Sequence, residues 1–367
     1  MFKIIKEDTE TSARLGSFQT NHGSVKTPSF FPVATQAAVK GLGPRELCEI
    51  GIDGLLVNAY HLYLRPGVEI IKKCGGLHKF MGFNKTIITD SGGYQIFSLE
   101  NLRKVNDEGV QFQSHLDGET IFLTPEVVME VQLDLDSDVV VPLDECIKFD
   151  SSYELARIAM ERTIRWAKKS KDCFDKKKTK SLFFGIIQGG VYTDLRKECL
   201  QAICDLNPDG LCIGGLSVGE PKDLRYNILS FVHENSAKNH LRYFMGYGKP
   251  VDILEAVNLG VDLFDCVVPT RYGRTGTAFT HRGEIVVRNA PCRDDTKPLD
   301  EKCQCHTCRN FSRAYLRHLI NANEMLGTQL ITYHNVFWYN DFMHTIRKAI
   351  DENIFLEFKK DFLASYH

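Results

Sequence analysis

Eight apolar runs constrain the fold of this 367-residue chain more than any other feature. Each run ends in glycine or polar residues, and helix-length amphipathic segments separate most of them. In chain order the runs are Ser29–Gln36, Gly54–His61, Thr86–Gly93, Asp138–Glu145, Leu182–Gly190, Gly210–Glu220, Arg242–Pro250 and Asp262–Thr270. Apolar strands that alternate with helices are typical of a parallel sheet covered on both faces. Eight such units predict an α/β protein with a (β/α)8 TIM barrel.

An open, doubly wound sheet is the alternative arrangement for the same alternation of strands and helices. A dinucleotide-binding sheet of that kind carries a GxGxxG turn after its first strand, and no such motif follows Ser29–Gln36. The segment Tyr153–Ser170 illustrates the connecting helices, because its apolar residues recur every three or four positions. We therefore prefer the barrel.

Three turn signals predict antiparallel hairpins in addition to the barrel. Asn21-His22-Gly23 interrupts short alternating segments near the N-terminus, which indicates an N-terminal hairpin. Two inserted hairpins are expected to turn at Asp117-Gly118 and at Arg282-Gly283. We expect residues 1–290 to form the catalytic barrel together with these hairpins.

Composition argues against several classes of protein. Lys plus Arg total 45 and Asp plus Glu total 47, so the formal net charge is −2 and nucleic acid could be bound only by a local basic cluster. The N-terminus lacks the apolar segment of a signal peptide, and no apolar stretch reaches membrane-spanning length, which predicts a cytoplasmic protein. Most of the 12 cysteines are then expected to be small buried hydrophobes rather than disulfides.

Polar residues and glycines mark the C-terminal ends of the predicted strands. In a (β/α)8 barrel these ends share one mouth, where active sites form. The ends read Asp90-Ser91-Gly92-Gly93-Tyr94-Gln95, Asp144-Glu145-Cys146, Gln188-Gly189-Gly190, Gly214-Gly215-Leu216, Gly246-Tyr247-Gly248 and Asp265. Three carboxylates are thus expected to face one cavity, where the glycines let a ligand approach the backbone closely.

Asp265 stands out because it lies inside an apolar run, in the stretch FDCVVPTRYGR (Phe264–Arg274). Burying an ionised carboxylate is unfavourable unless hydrogen bonds or a chemical task compensate for it. Asp265 is therefore either hydrogen-bonded by its neighbours or catalytic. Beyond it, we expect the chain to break at Pro269 into a loop that carries Arg271 and Arg274.

Three closely spaced cysteines predict a metal site in the C-terminal region. With a fourth ligand, thiolates at this spacing complete the tetrahedral shell of a structural Zn2+ ion. We prefer His334 as the fourth ligand, since His306 lies between two of the cysteines and could hardly fold back onto the same ion. The cysteines are Cys303, Cys305 and Cys308, and Cys292 is a weaker candidate for the remaining position.

Residues 291–367 are expected to form a zinc-binding subdomain with C-terminal helices that pack on the barrel. The sequence pattern places these helices around Phe311–Met325 and Val336–Phe362. Because all four positions around the ion would be taken by side chains, the zinc would stabilise the fold and would not take part in the reaction.

The groups at the mouth would complement the edge of a guanine base. A carboxylate at Asp144 accepts two parallel N–H donors, while the Gln188 amide and the Gly215 N–H donate to a carbonyl. Tyr94 or Met245 is expected to supply a stacking face. The sequence therefore predicts a guanine-shaped pocket at the mouth of the barrel.

Two further carboxylates would remain for chemistry at the glycosidic carbon. Asp265 and Asp90 fit the nucleophile and the proton-transfer group of a retaining glycosyl transfer. A nucleotide in RNA must leave its stack to enter such a pocket. Arg271 and Arg274 would then hold flanking phosphates or bases.

The motifs DSGGYQ, LDEC, IIQGG, GGLSVGE, MGYG, FDCVVPTR and C-x-C-x2-C…His occur in this order over nearly the whole chain. Together they resemble the queuine tRNA-ribosyltransferase family, also called tRNA-guanine transglycosylase. The resemblance implies a (β/α)8 barrel with a zinc subdomain, a homodimer, and no redox or nucleotide cofactor. It also implies exchange of the wobble guanine for a 7-deazaguanine, in queuosine modification of the GUN-anticodon tRNAs for aspartate, asparagine, histidine and tyrosine.

The resemblance implies a role for each matched residue. Asp265 would be the nucleophile on the ribose anomeric carbon, and Asp90 the general acid/base. The substrate-binding residues would be Ser91, Gly92, Gly93, Tyr94, Asp144, Gln188, Gly215 and Met245. The RNA-binding residues would be Gly246, Tyr247, Gly248, Lys249, Pro250, Val251, Asp252, Thr270, Arg271, Tyr272, Gly273 and Arg274. The zinc ligands would be Cys303, Cys305, Cys308 and His334.

The identity of the incoming base depends on two positions in the pocket. Queuine-using eukaryotic relatives tend to carry glycine at the position of Val218. With Val218 and Cys146, this chain resembles the bacterial form, which accepts 7-aminomethyl-7-deazaguanine. Some bacteria salvage queuine, so both bases stay open at this point. Tyr272 falls at a position that varies among family members.

Two rival functions are weighed against this interpretation. A small-molecule barrel enzyme would need a Schiff-base lysine or an open metal site, and Lys249, the only strand-end lysine, lies beyond Tyr247-Gly248. A non-catalytic RNA-binding subunit would not need to keep Asp265. Both rivals are therefore less favoured than glycosyl transfer.

Overall fold

The computed structural model describes residues 2–98 and 103–367. The strands are β1 Lys3–Glu7, β2 Arg14–Thr20, β3 Gly23–Thr27, β4 Ser29–Pro32, β5 Gly54–Asn58, β6 Thr86–Asp90, β7 Arg103–Asn106, β8 Gly109–Gln113, β9 Thr120–Leu123, β10 Val139–Val140, β11 Leu182–Ile187, β12 Gly210–Ile213, β13 Leu241–Phe244, β14 Leu263–Cys266, β15 Thr277–Thr280 and β16 Gly283–Val286.

The α-helices connect these strands and cover the sheet. They are α1 Pro44–Ile50, α2 Ala59–Leu64, α3 Val68–Lys73, α4 Leu77–Met81, α5 Gly93–Phe97, α6 Pro125–Asp134, α7 Tyr153–Lys176, α8 Thr193–Cys204, α9 Lys222–Asn235, α10 Pro250–Asn258, α11 Val268–Thr275, α12 His306–Asn310, α13 Arg313–Asn321, α14 Met325–Asp351 and α15 Phe355–Ser365, with a 3-10 helix at Ala290–Cys292. Within the described residues, no helix is both long and apolar enough to cross a membrane.

Eight parallel strands form a nearly closed barrel. Their order is β4-β14-β13-β12-β11-β10-β6-β5. The two edge strands approach each other where Val33 pairs with Leu56 in parallel, and the Ala34 N–H donates to the Leu56 carbonyl at 2.7 Å. Helices cover the outside, since the buried faces of α7 to α10 pack around one apolar core. The predicted (β/α)8 barrel is confirmed.

The predicted apolar runs are longer than the strands that they contain. The largest difference is at β10, where only Val139 and Val140 of the run Asp138–Glu145 are in the sheet. Pro142 has no N–H to donate to a neighbouring strand. The Gln132 side chain bonds the N–H and the carbonyl of Val141 at 3.0 and 2.8 Å, in place of a neighbouring strand. The rest of the run forms the polar loop at the barrel mouth.

The segment after Asp265 differs from the sequence expectation. It was expected to be a loop beyond Pro269, but α11 spans Val268–Thr275. Proline is favoured in the first turn of a helix, where its missing N–H has no partner to lose. Gly276 then ends the helix in the left-handed conformation with φ +84°.

The C-terminal helices also differ from the expected limits. The predicted helix Phe311–Met325 corresponds to α13, whereas the predicted helix Val336–Phe362 is two helices, α14 and α15. Helix α14 begins earlier, at Met325, and Asn353 interrupts the helical path with φ +55°. Helix α14 packs beside α11 and also contacts β4 and α1. The proposed boundary near residue 290 stays a prediction.

The three predicted hairpins are present in the described residues. Strands β2 and β3 turn at Asn21-His22, β8 and β9 are joined through Asp117-Gly118, and β1 and β7 each add a third strand. The third hairpin turns one residue earlier than expected, because Thr280 pairs with Gly283 and Gly283 therefore belongs to β16. A side chain at position 283 would collide with the backbone of His367, which explains the glycine.

Paired carboxylates occupy the N-terminal ends of two barrel strands. Asp262, just before β14, accepts from Arg14 Nε at 2.9 Å and Arg14 Nη2 at 2.6 Å. Asp138, just before β10, contacts His22 Nδ1 at 2.9 Å and His78 Nε2 at 3.0 Å. Since Arg14 and His22 belong to the N-terminal sheet, these contacts fasten that sheet to the base of the barrel.

Candidate active site

A cavity of about 470 Å3 opens at the C-terminal ends of the strands. Its walls include the three strand-end aspartates Asp90, Asp144 and Asp265. Each of these residues is buried, with 3 to 7% of its surface exposed. The structure therefore brings together the carboxylates that the sequence predicted to face one mouth. Other predicted substrate-binding residues in the wall are Ser91, Gly93, Tyr94, Gly215 and Met245.

Asp265 is held by two donors on a single carboxylate oxygen. The Tyr243 hydroxyl donates to Oδ1 at 2.6 Å, and the Gly246 N–H donates to the same atom at 2.9 Å. Burial raises the pKa of Asp265 to about 6, although both hydrogen bonds favour the ionised form. Asp265 is thus hydrogen-bonded by its neighbours and also faces the cavity, and its catalytic role stays a prediction.

Asp90 faces the same cavity and has no cationic partner in the described part of the chain. Its Oδ2 accepts from Asn58 Nδ2 and from Gln95 Nε2, the latter at 3.2 Å, and the Ala59 N–H approaches Oδ1 at 3.3 Å. Burial and, to a smaller extent, the negative charge of Asp265 together raise its pKa to about 7 against those hydrogen bonds. A carboxyl group with such a pKa can both donate and accept a proton near neutral pH.

Asp144 is paired with Gln188, its expected partner in binding a base. Gln188 Nε2 donates to Asp144 Oδ2 at 2.7 Å, while Ser91 Oγ and Cys146 Sγ make longer contacts of 3.3 and 3.4 Å. Burial raises the pKa of Asp144 against these hydrogen bonds. Among the described residues, the Gln188 Oε1 atom is buried without a hydrogen-bond partner. The Asp144 carboxylate can accept from adjacent N–H donors of a ligand, and the Gln188 amide can donate to a ligand carbonyl once it leaves Asp144.

Position 215 has no room for a side chain. Its φ is +64°, and a Cβ at this position would collide with the Gln188 side chain. Gly93 is equally constrained, because a Cβ there would collide with Asp144. Both glycines therefore let the backbone approach the groups that line the cavity.

Arg196 on α8 orients the backbone around Gly215. This fully buried arginine donates to the carbonyls of Ile187, Gly190 and Gly214 at 2.8 to 2.9 Å. It forms no ion pair with a carboxylate in the described residues, and burial lowers its pKa to about 10. Because a trans peptide holds its C=O and N–H in opposite directions, fixing the Gly214 carbonyl directs the Gly215 N–H away from Arg196.

The expected stacking residues both line the cavity. Tyr94 lies in α5 and is 56% exposed, whereas Met245 is half-buried just beyond β13. Cys146 and Val218, the positions that bear on the incoming base, lie in the same wall. Most of the residues that the sequence associated with base binding thus line one cavity, but Gly92 and Gln188 are not part of its wall. Gln188 is connected to the wall through its hydrogen bond to Asp144.

The expected RNA-binding residues fall into two groups. Gly246, Lys249, Arg271 and Arg274 are exposed, and Arg271 also lines the cavity. The second group is less accessible. It is half-buried at Tyr247, Val251 and Tyr272 and buried at Gly248, Pro250, Asp252, Thr270 and Gly273.

Asp252 shows what burial means for the second group. Its carboxylate accepts from the Tyr226 hydroxyl at 2.7 Å and lies 3.3 Å from Lys222 Nζ. The side chain is therefore engaged within the protein, and its expected contact with RNA stays a prediction.

The predicted metal ligands converge at one point between α12 and α14. His334 Nδ1 lies 3.6, 3.4 and 3.3 Å from the Sγ atoms of Cys303, Cys305 and Cys308. Tetrahedral zinc with ordinary bond lengths places sulfur and nitrogen ligands roughly 3.6 Å apart. His334 Nε2 donates to the Phe279 carbonyl at 2.6 Å, which leaves Nδ1 free to bind a metal. The residues present fit a metal ion.

The other expected candidates for the fourth ligand lie outside this group. His306 Nδ1 is 3.2 Å from Asn310 Nδ2, and Cys292 is buried in the short 3-10 helix. The preference for His334 is confirmed, because His334 completes the group of donor atoms formed with the three cysteines.

His22, His78 and Asp138 form a second group whose donor atoms are close enough to hold a metal. His78 Nε2 faces two acceptors, the Asp138 carboxylate at 3.0 Å and the Lys85 carbonyl at 3.1 Å. Nε2 must therefore carry a proton in this arrangement, so it cannot coordinate a metal. We assign this group to hydrogen bonding at the base of the barrel.

Comparison with known proteins agrees with this site. The family model described as queuine tRNA-ribosyltransferase matches residues 8–367. The chain belongs to that family. Proteins named queuine tRNA-ribosyltransferase include those of Caldanaerobacter subterraneus subsp. tengcongensis, 51% identical over 366 residues, and of Thermoanaerobacter sp. strain X514, 51% identical over 365 residues. Each alignment covers 100% of this chain and 97% of the relative.

A more distant relative gives the same result. The queuine tRNA-ribosyltransferase of Francisella tularensis subsp. novicida is 49% identical over 365 residues, covering 100% of this chain and 98% of the relative. Membership of the queuine tRNA-ribosyltransferase family confirms the expected enzyme class, a pentosyltransferase. The family assignment from the sequence motifs is therefore confirmed along the whole chain.

Three residues of the site had no assigned role from the sequence. Asn58, which contacts Asp90, ends an apolar run at a strand end, and that position is a signal that could have identified it. Tyr243 gives only a weak signal, since a buried tyrosine needs a partner for its hydroxyl. Arg196 gives none, because an arginine in an amphipathic helix usually faces solvent.

Proposed function

We propose that this enzyme exchanges the wobble guanine of tRNAs with a GUN anticodon for a 7-deazaguanine, through a covalent bond between Asp265 and ribose. The observation that carries the proposal is the convergence of Asp90, Asp144 and Asp265 on one cavity, each in a different hydrogen-bonding environment. The names of the relatives support queuine and tRNA as the substrate classes.

In this proposal the base is held by its edge. Asp144 accepts the N–H donors of guanine, Gln188 and the Gly215 N–H bind its carbonyl, and Tyr94 or Met245 stacks on the ring. Gln188 gives up its contact with Asp144 when the base enters. Burial raises the pKa of Asp144, and an N–H donor pair from the ligand would lower that pKa again by stabilising the ionised form.

Asp265 then attacks the anomeric carbon of the ribose while Asp90 gives a proton to the departing guanine. Asp90 next accepts a proton from the incoming base, which displaces Asp265. A group whose pKa is about 7 can serve in both directions. Arg271, at the rim of the cavity, is placed to contact the RNA backbone beside the extruded nucleotide.

The test is incorporation of radiolabelled guanine into an unmodified tRNA with a GUN anticodon. The matched control is the same tRNA with adenine in place of the wobble guanine. We expect incorporation only into the first RNA. Absence of incorporation by a folded, metal-loaded protein would contradict the proposal.

The incoming base is proposed to be 7-aminomethyl-7-deazaguanine, with queuine as the second candidate. Val218 and Cys146 in the cavity wall support the smaller base. Mass spectrometry of nucleosides from tRNA that was treated with an equimolar mixture of both bases identifies the one that is used. The variant Val218→Gly is expected to increase the share of queuine, since it removes a side chain from the wall.

The metal is proposed to be one structural Zn2+ ion bound by the Cys303, Cys305, Cys308 and His334 cluster. A tetrahedral set of three sulfurs and one nitrogen suits zinc and leaves no position for substrate. Chelation is expected to lower the melting temperature before it affects the rate of exchange per folded molecule. Loss of turnover from a metal-free protein with unchanged melting temperature would contradict a purely structural role.

The proposal includes a cytoplasmic homodimer. Cytoplasmic location is supported by cysteines that are all free in the structure, as expected in a reducing compartment. The dimer is expected because the family resemblance implies it. Native mass spectrometry of the metal-loaded protein at micromolar concentration would show twice the chain mass, and a monomer at that concentration would contradict this part of the proposal.

A further inference from the structure

The two oxygens of the Asp265 carboxylate have different environments. Oδ1 accepts both hydrogen bonds, from the Tyr243 hydroxyl at 2.6 Å and from the Gly246 N–H at 2.9 Å. No donor in residues 2–98 and 103–367 contacts Oδ2 within hydrogen-bonding distance. Asp265 lines the cavity, so the carboxylate presents one fixed oxygen and one free oxygen.

Tyr243 is well placed to fix this orientation. It lies in β13, next to the strand β14 that carries Asp265, and Tyr243 itself pairs with Leu263. The tyrosine ring is 1% exposed and packs within the barrel interior, so its hydroxyl cannot move to another partner without disturbing the core. Gly246 donates from the turn immediately after the same strand, which adds a second donor from one rigid element.

We propose that Asp265 Oδ2 is the atom that attacks the ribose, and that Tyr243 is a positioning residue which holds Oδ1 and stabilises the carboxylate when it leaves. This inference rests on the proposed function. A lone pair on Oδ2 forms the bond to the anomeric carbon. The bond from that carbon to guanine breaks, its electron pair stays on the base nitrogen, and Asp90 supplies the proton that the base requires.

The charge on Oδ1 makes the effect of Tyr243 on release of Asp265 from ribose different from its effect on the attack. In the free enzyme Oδ1 shares the negative charge of the carboxylate, whereas in the ester it is a neutral carbonyl oxygen. Hydrogen bonds to a charged acceptor are roughly twice as strong as those to a neutral one. Tyr243 therefore favours release of Asp265 from ribose more than it favours the attack.

The test is Tyr243→Phe, which removes the hydroxyl and keeps the ring. With unmodified tRNA in the absence of a free base, the rate of covalent adduct formation is followed on denaturing gels. Excess guanine is then added, and the rate at which the adduct disappears is measured. We expect breakdown to slow about tenfold while formation changes less than about threefold, so the adduct accumulates although turnover falls.

The matched control is Tyr153→Phe. The Tyr153 hydroxyl donates to Asp194 Oδ2 at 2.6 Å, so the substitution removes the same kind of hydrogen bond outside the cavity. We expect both rates to be unchanged in this variant. Melting temperatures of both variants verify that each is folded.

A second measurement is used if Tyr243→Phe does not fold. Replacing Tyr243 by 3-fluorotyrosine keeps the ring and hydroxyl but makes the phenol a stronger donor, and breakdown of the adduct should then become faster relative to formation. Equal changes in both rates, or no change in either, would overturn the assignment of Tyr243. Absence of any adduct with the unsubstituted enzyme would instead contradict the proposed function.

Discussion

Buried aspartates have different kinds of partners at the two ends of the barrel. At the N-terminal end, Asp262 binds Arg14, and Asp138 is bound by two histidines and a backbone N–H. At the C-terminal end, the donors to Asp90 and Asp265 among residues 2–98 and 103–367 are all neutral. Burial by itself raises the pKa of a carboxyl group, and only partners can offset that increase.

The pKa values express this difference. Burial also acts to raise the pKa of Asp138, but the hydrogen bonds from His78, His22 and Ile87 outweigh it and lower the pKa below its ordinary value. The pKa of Asp265 is raised to about 6 and that of Asp90 to about 7. Ionised Asp138 at the base of the barrel thus stabilises the fold, whereas ionised Asp90 and Asp265 at the mouth lower its stability, which is typical of functional sites.

The largest expected effect is at the mouth, for Asp265→Asn. An amide oxygen is too weak a nucleophile to form the ribose ester, so exchange should fall by a factor on the order of 10⁴ or more. The melting temperature should not decrease, because the substitution removes a carboxylate that is buried without a cation. Guanine exchange and calorimetry measure the two quantities. A covalent RNA adduct in this variant would remove Asp265 as the nucleophile.

The next effect is at the base, for Arg14→Met. This variant leaves Asp262 buried beside a single remaining donor, the Arg242 N–H at 2.8 Å. Breaking a buried ion pair from one side costs about 3–5 kcal/mol in the free energy of unfolding. Denaturant titration measures this loss, and Asp262→Leu added to Arg14→Met should recover part of it. A loss well under 1 kcal/mol would mean that the base of the barrel does not depend on this pair.

Asp90 provides a test through pH. Its pKa in the folded protein, about 7, exceeds the ordinary value of 3.8, so the folded state binds more protons than the unfolded state between pH 4 and 7. The contribution of Asp90 to the free energy of unfolding is therefore fully present below pH 4 and is lost as pH rises through 7. Asp90→Asn should be more stable than the unsubstituted protein at pH 8, on the order of 2 kcal/mol, with little difference at pH 4.

Free energies of unfolding measured at several pH values would show this divergence. The corresponding substitution at the base, Asp138→Asn, should give the opposite sign. The pKa of Asp138 is lowered in the folded state, so its contribution is present above the unfolded pKa and is lost as pH falls. Parallel curves for Asp90→Asn and the unsubstituted protein would refute the contrast between the two ends.

The smallest expected effect is for His22→Gln at the base. The His22 side chain is 33% exposed, and Asp138 keeps His78 and the Ile87 N–H when it is replaced. We expect a loss of about 1 kcal/mol in the free energy of unfolding and no change in exchange activity. A loss as large as that for Arg14→Met would show that His22 does more than donate one hydrogen bond.

Much of the site was predictable because its signals are local in the sequence. Asp90 and Asp265 lie within apolar runs, at or next to the C-terminal ends of strands β6 and β14, and barrel geometry gathers such strand ends at one mouth. The cysteines lie within six residues of one another, so their convergence needed little knowledge of the fold. His334 was identified from its residue type and was then found on a helix that begins before the expected limit.

Other features depended on contacts that sequence patterns do not contain. Strand β10 is short because Gln132 from a neighbouring helix bonds Val141. The segment after Asp265 is a helix because Pro269 and Gly276 suit its two ends, although proline also begins many loops. The pairing of Gln188 with Asp144 joins residues 44 positions apart.

The sequence by itself determined the barrel and the residue types at the mouth, because strand periodicity and strand-end polarity depend on neighbouring positions. The enzyme family was indicated by the resemblance of its ordered motifs. The tertiary structure alone decided which carboxylates have charged partners and which oxygen of Asp265 is free. The physical reason is that solvation and hydrogen bonding of a buried group depend on every element packed around it. Arg14 and Asp262, for example, meet across 248 residues of chain.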